Sequence, residues 1–318
     1  MSMVVCEECG SFLSGSARFC AKCGATQQSV SQRLRKALGA DYELLGELGR
    51  GGAAVVYSVR DLKHHRYLAV KVMHPELMAS PVVVERFRRE ARYVAQLDHP
   101  NILSVTFSAE ESGLVFYAMP RVRGKALSRY LEKRGHLALD KTLSILSQVA
   151  EGLYHAHQHG VIHRDIKPSN IMVEDGGRVL ILDFGVAKAL SSDGGHLSAS
   201  GEIIGSPRYM SAEQASGSSN IDHRTDIYSW GVVGFHMLAG RAPFVDQGVQ
   251  AILYKQMTVE PPDVREFRPD TPEVLANTIH RCMAKNPARR WGNIREAAKA
   301  AGCVRRGVSS SSRAPDKR

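Results

Sequence analysis

The chain has 318 residues, room for two average domains or one large one with attachments. Its 43% hydrophobic and 23% charged residues exclude wholesale disorder, and its longest charge-free apolar stretch, Ile227 to Gly240, has 14 residues where a membrane span needs about 20. The net charge of +10 sits mostly at the edges: Arg33, Arg35 and Lys36 give +3 and residues 303–318 give +4, leaving about +3 for residues 41–302, too little for a nucleic-acid-binding face. Residues 1–10 lack a basic leader and carry Glu7 and Glu8, so no signal peptide is expected and the protein is read as soluble and cytoplasmic.

In chain order, the first signal is a cysteine quartet, Cys6, Cys9, Cys20 and Cys23, spaced C-x-x-C, ten residues, C-x-x-C. Each pair makes a tight knuckle, and four thiolates complete a tetrahedral shell for zinc, so residues 1–24 are read as a zinc ribbon with a closed, structural site. Two disulfides are the alternative, disfavoured for a reducing compartment. Residues 25–40 are polar and basic and read as a linker or short helix. Strands are expected at Tyr42–Leu48, Val55–Val59, Tyr67–Met73, Ile102–Phe107 and Leu114–Met119. A helix is expected from Ser80-Pro81, an N-cap with proline at the first helical position, to about Leu97. Helices then dominate, at Asp140–His159, Arg224–Ala239, Gln247–Met257 and Pro272–Met283. Strands first and helices afterwards predict an α+β chain of two differently built lobes, about 41–121 and 122–302, followed by a disordered basic tail, 303–318. No internal repeat is evident.

The run Gly49-Arg50-Gly51-Gly52-Ala53-Ala54 frees backbone N–H groups to approach phosphates. A dinucleotide-binding turn needs a helix after it, but Val55-Val56-Tyr57-Ser58-Val59 is strand-like, so a hairpin over nucleotide phosphates is expected. Lys71 lies in the apolar strand Leu68-Ala69-Val70-Lys71-Val72-Met73, and Glu90 lies among Phe87, Ala91 and Val94 on the apolar side of the helix 81–97. Each is costly to bury alone, and two misfits of opposite charge suggest each other. Further on come His163-Arg164-Asp165-Ile166-Lys167-Pro168-Ser169-Asn170 and, thirteen residues after Asn170, Asp183-Phe184-Gly185 at the mouth of the short strand Val179–Leu182. Asp165 can orient and deprotonate a hydroxyl, Asp183 and Asn170 can hold magnesium, and Lys167 can place positive charge where a phosphoryl group passes.

With these motifs in this order, residues 42–302 resemble the eukaryotic-like Ser/Thr protein kinases of bacteria. The resemblance implies a bilobal kinase fold and an ATP site formed by Gly49, Arg50, Gly51, Gly52, Ala54, Val56, Ala69, Lys71, the gatekeeper Met119 and the hinge Pro120, Arg121 and Val122. It makes Asp165 the catalytic base, with Lys167, Lys71 and Glu90 in the catalytic set and Asn170 and Asp183 on magnesium. It makes Asp226 the brace of the catalytic loop, Glu213 and Arg290 the ion pair locking the lower lobe, and Ser206 a substrate-facing loop residue touching Asp165 and Lys167. Ser198 and Ser200 fall where such kinases carry activation-loop phosphates, implying autophosphorylation between associating copies, with Arg164 receiving the phosphate. Two departures stand out: Ala54 replaces the third loop glycine, and the usual Ala-Pro-Glu is Ser211-Ala212-Glu213. The expected activity is phosphate transfer from ATP to protein Ser/Thr hydroxyls. A pseudokinase scaffold is the alternative, though it has no physical need of Lys71, Glu90, Asp165, Asn170 and Asp183 together. A nucleic-acid-reading ribbon is disfavoured, because Arg18 and Lys22 are balanced by Glu7 and Glu8.

Overall fold

Residues 3–5, 9, 11–14, 19–24, 28–184 and 206–303 are described in a computed structural model of the chain. Cys6, Ser198, Ser200 and residues 304–318 lie outside them. Near the N-terminus, β1 (Met3–Val5) and β2 (Phe12–Ser14) pair antiparallel with Val4 opposite Leu13. Strand β1 runs beside the 3₁₀ turn Pro75–Leu77.

Period-two alternation of apolar residues builds the upper lobe. Strands β3 (Tyr42–Arg50), β4 (Ala54–Asp61), β5 (Arg66–Met73), β6 (Phe107–Glu111) and β7 (Leu114–Pro120) form one antiparallel sheet in the order β3-β4-β5-β7-β6. Tyr57, Val59, Leu68, Val70, Leu114 and Phe116 point to its outer face, where they bury against a helix. That helix, α1 (Val30–Leu38), is the short helix of the two readings given for residues 25–40, packed on the sheet rather than serving as a solvated linker: Leu34 and Leu38 lie in the sheet's core, and a capping box between Ser29 and Gln32 starts it. Burying each leucine is worth about 1.5–3 kcal/mol, enough to hold a short basic helix down. Arg33 adds a bond from Nε to the Ser112 carbonyl (3.0 Å) in the β6–β7 turn. The inner face carries Ala54, Met73, Val115 and Tyr117 against Val84, Phe87 and Ala91 of α2 (Pro81–Ala95). Pro81 opens α2 as expected, although the Ser80 side chain makes no capping bond.

The strand expected at Ile102–Phe107 is not formed. Ile102 makes only an isolated parallel bridge to Ile181, and β6 begins at Phe107. The apolar character of this stretch serves the other lobe: Ile102 is buried in the lower core, and Leu103 N–H donates to the Ile181 carbonyl (3.0 Å) while Ile181 N–H donates to that of Asn101 (2.8 Å).

The lower lobe is built around α4 (Leu139–Gln158) and α6 (Arg224–Ala239), with α3 (Leu127–Arg134), α5 (Ala212–Ala215), α7 (Val249–Thr258), α8 (Glu273–Cys282) and α9 (Ile294–Ala300) about them. Residues Thr225 to Phe235 of α6 are all buried, and Trp230 Nε1 donates to the Leu146 carbonyl of α4 (3.0 Å). A Cβ at Gly231 would fall 2.7 Å from the Cys282 Cβ, so the approach of α6 to α8 requires the glycine. A small sheet in the order β10-β9-β8, from β8 (Gly124–Ala126), β9 (Ile171–Glu174) and β10 (Val179–Ile181), lies at the lobe boundary.

Candidate active site

The loop 163–170 is hung from one buried carboxylate. Asp226, on the first turn of α6, accepts from His163 N–H (2.8 Å) and His157 Nε2 (2.8 Å) on one oxygen and from Arg164 N–H (2.8 Å) on the other. Burial works against its charge, yet these donors hold its carboxyl below the usual range. The loop thus gains its fixed shape from outside itself, which allows Arg164 to keep a left-handed φ of 63°. His163 is fully buried: its Nδ1 accepts the Asp165 N–H (3.1 Å), its Nε2 donates to the Leu182 carbonyl (2.8 Å), and its ring lies 4.7 Å from that of Phe184.

Asp165 emerges from this frame with Lys167 Nζ at 2.8 Å, and Asn170 donates to its carbonyl (2.9 Å) and its carboxylate (3.2 Å). The Asn170 amide nitrogen is thereby committed, which turns its oxygen to other use. Across the cleft, Asp183 follows β10 with φ 48° and reaches Lys71 Nζ at 2.7 Å. Lys71 also donates to Glu90 on α2 (3.1 Å), so one ammonium joins both lobes. Burial opposes that charge, but the Asp183 and Glu90 carboxylates outweigh it and hold the lysine well above its ordinary range. The pairing expected of Lys71 and Glu90 is therefore present.

Above the cleft, β3 and β4 turn through the glycine run, closed by Gly51 N–H to the Ala54 carbonyl (2.9 Å). Ala54 is buried with Met73 and Phe87, so its methyl packs into the lobe. His74, which sequence reasoning missed, clamps the hairpin: its N–H donates to the Ala53 carbonyl (3.0 Å) and its Nε2 to that of Gly51 (2.8 Å). Val56 pairs with Lys71, and Ala69 with Met119, along the same ladder. At the hinge Pro120 has no N–H and that of Arg121 goes to the Tyr67 carbonyl (3.1 Å).

Below, Arg290, which is buried, meets the partly buried Glu213 through two bonds of 2.7 Å. Ser211, standing where alanine is usual, caps α5 and bonds the Thr225 hydroxyl (2.7 Å), so this departure adds ties. Gln214 Nε2 donates to the Arg164 carbonyl (2.8 Å), a support of the loop 163–170 that no motif marked. Ser206 precedes the 3₁₀ turn Pro207–Tyr209. The sulfurs of Cys9, Cys20 and Cys23 lie within 4.8 Å of one another. Cys9 and Cys20 are 3.6 Å apart, too long for a disulfide of about 2.05 Å.

Residues 42–301 match the family model described as protein kinase domain. The chain is 35% identical over 256 residues to the serine/threonine-protein kinase PrkC of Bacillus subtilis, covering 80% of this chain and 39% of that protein. It is 37% identical over 260 residues to the serine/threonine-protein kinase PknB of Mycolicibacterium smegmatis, covering 80% and 41%. The chain therefore spans about two fifths of the length of these curated relatives. Among solved structures it is similar to the PknI kinase domain of Mycobacterium tuberculosis, with TM-score 0.66, 31% identity, and 83% and 96% of the two chains covered. No helix among the described residues is long and apolar enough to cross a membrane.

Proposed function

Because the chain belongs to the protein kinase family, we propose that it transfers the γ-phosphate of ATP to Ser and Thr hydroxyls of protein substrates in the cytoplasm. The observation that carries this reading is the assembled pair of centres: Lys71 bridging Glu90 and Asp183, opposite Asp165 with Lys167 and Asn170. Lys71 would bind the α- and β-phosphates, with the hairpin Gly49, Arg50, Gly51 and Gly52 over them. Val56, Ala69 and Met119 would enclose the adenine, and the Val122 N–H would meet its edge. Asp165 would orient the acceptor hydroxyl and take its proton, while Lys167 offsets charge on the passing phosphoryl group. The donor set fits magnesium: the Asp183 carboxylate is 43% exposed toward the cleft, and the Asn170 oxygen is left over by its amide's bonds. Magnesium held by Asp183 and Asn170 would neutralise charge on the nucleotide phosphates.

The N-terminal cysteines support a further part of the reading, a zinc held by Cys6, Cys9, Cys20 and Cys23 in an appended docking module. Activation would follow phosphorylation of Ser198 and Ser200 between copies of the chain, with Ser206 facing the substrate. The test is transfer of labelled phosphate from ATP to a protein acceptor, with phosphosites and bound metal read by mass spectrometry. Wild type should label Ser or Thr and carry one zinc, whereas Asp165→Asn should bind ATP without transfer. Equal labelling by wild type and Asp165→Asn would remove the assignment.

A further inference from the structure

Glu90 is held by two donors, and one of them is not a charge. Both Lys71 Nζ (3.1 Å) and the Tyr117 hydroxyl (2.8 Å) reach its Oε1. Tyr117 stands directly opposite Lys71 in the β5–β7 ladder, and its ring lies 5.5 Å from the Lys71 nitrogen. The same ring packs on Phe87 of α2, centroids 5.1 Å apart, and is 4% exposed. Burial holds the phenol well above its ordinary pKa, so it remains a donor. Lys71, by contrast, is nearer to Asp183 (2.7 Å) than to Glu90. In the proposed reaction the nucleotide phosphates would draw on the same ammonium, and its hold on Glu90 would weaken further.

We propose that Tyr117 is a positioning residue for phosphate transfer: its hydroxyl ties Glu90, and with it α2, to the sheet while Lys71 serves the nucleotide. The tie joins a central strand to α2 without adding charge, so substrate phosphates cannot compete for it. The proposal rests on the kinase reading given above.

The variant Tyr117→Phe in the full chain removes the hydroxyl alone and keeps the ring on Phe87. A bond to a carboxylate supports an expected fall in kcat of about tenfold, with the KM for protein acceptor unchanged. In a Glu90→Ala background the same change should cost less than about twofold, because the group it acts through is gone. Hydrogen exchange provides the readout that does not need activity: amides of Pro81–Ala95 should exchange faster in Tyr117→Phe, and those of α6 should not. An unchanged kcat overturns the proposal, as does an equal loss in both backgrounds. Should wild type itself fail to transfer phosphate, the kinase reading falls, and unaltered exchange in α2 would separately overturn the tie.

Discussion

The Glu213–Arg290 pair of the lower lobe and the Lys71–Glu90 pair of the upper lobe are both withdrawn from water, yet their donors are shared out differently. Every N–H of the Arg290 guanidinium has an acceptor: two go to Glu213 and three to the carbonyls of Ala284, Arg224 and Lys285. A planar fork so fully used has one arrangement, and it fastens α5 to the turns after α8. The Lys71 ammonium is a rotatable point charge divided between carboxylates on two lobes, one of them half open to solvent. It can exchange partners without stranding a donor. Full satisfaction makes a lock, and shared satisfaction makes a contact that substrate can rearrange.

The largest expected effect separates these roles. Lys71→Met should lower phosphate transfer on the order of 10²–10³-fold, with a smaller fall in the urea midpoint than Glu213→Gln because the Tyr117 hydroxyl still bonds Glu90. A rate near wild type would show that the shared pair is structural after all. Glu213→Gln should do the reverse, leaving Arg290 buried without its counter-charge and costing about 3–5 kcal/mol in urea unfolding. An unaltered midpoint would break the description of that pair as a lock. Next, Leu34→Ala should cost about 2–4 kcal/mol by opening a cavity between α1 and the sheet, and the loss should fall on the upper lobe. Exchange in α6 should stay as in wild type, and a uniform loosening of both lobes would deny that they are distinct.

The smallest effect is a pH response confined to the lower lobe. His236 is drawn down to about 4, first by burial and then by Arg208, while its Nδ1 pairs with the Tyr209 hydroxyl (2.8 Å). Its folded pKa lies below the ordinary 6.5, so its contribution is complete above pH 6.5 and is lost as pH falls toward 4. The loss is on the order of 3 kcal/mol at the acid end. Melting followed between pH 7 and 4.5 should therefore weaken α6 before α2. His236→Gln should flatten the response.

What was legible in the sequence divides along chemical lines. Lys71 and Glu90 stand out because charge in apolar surroundings demands a partner, and they meet as expected, while Asp165 and Asp183 stand out by the order and spacing of their motifs. Tyr117 was silent, because a tyrosine in Leu-Val-Phe-Tyr-Ala-Met reads as one more core aromatic and only its hydroxyl's direction reveals its use. His74 was silent for a similar reason, since clamping a carbonyl leaves no spacing pattern. The signal for α1 was read only in part: Val30, Leu34 and Leu38 recur at helical spacing behind Ser29 and Gln32, but their basic neighbours left a short helix and a solvated linker both open. Ile102 misled through its neighbours, as an apolar run states that a segment is buried and not which lobe buries it.

The two bonds of the His163 ring decide which tautomer it can adopt. An N–H arriving at Nδ1 and a carbonyl waiting at Nε2 leave room for a single proton, on Nε2. The imidazole therefore acts as a relay between two stretches of main chain, those of Asp165 and Leu182, and neither can shift without orphaning a polar group in a dry place. Adding a second proton would set donor against donor at the Asp165 amide. A doubly protonated ring would consequently unseat the backbone beneath Asp165.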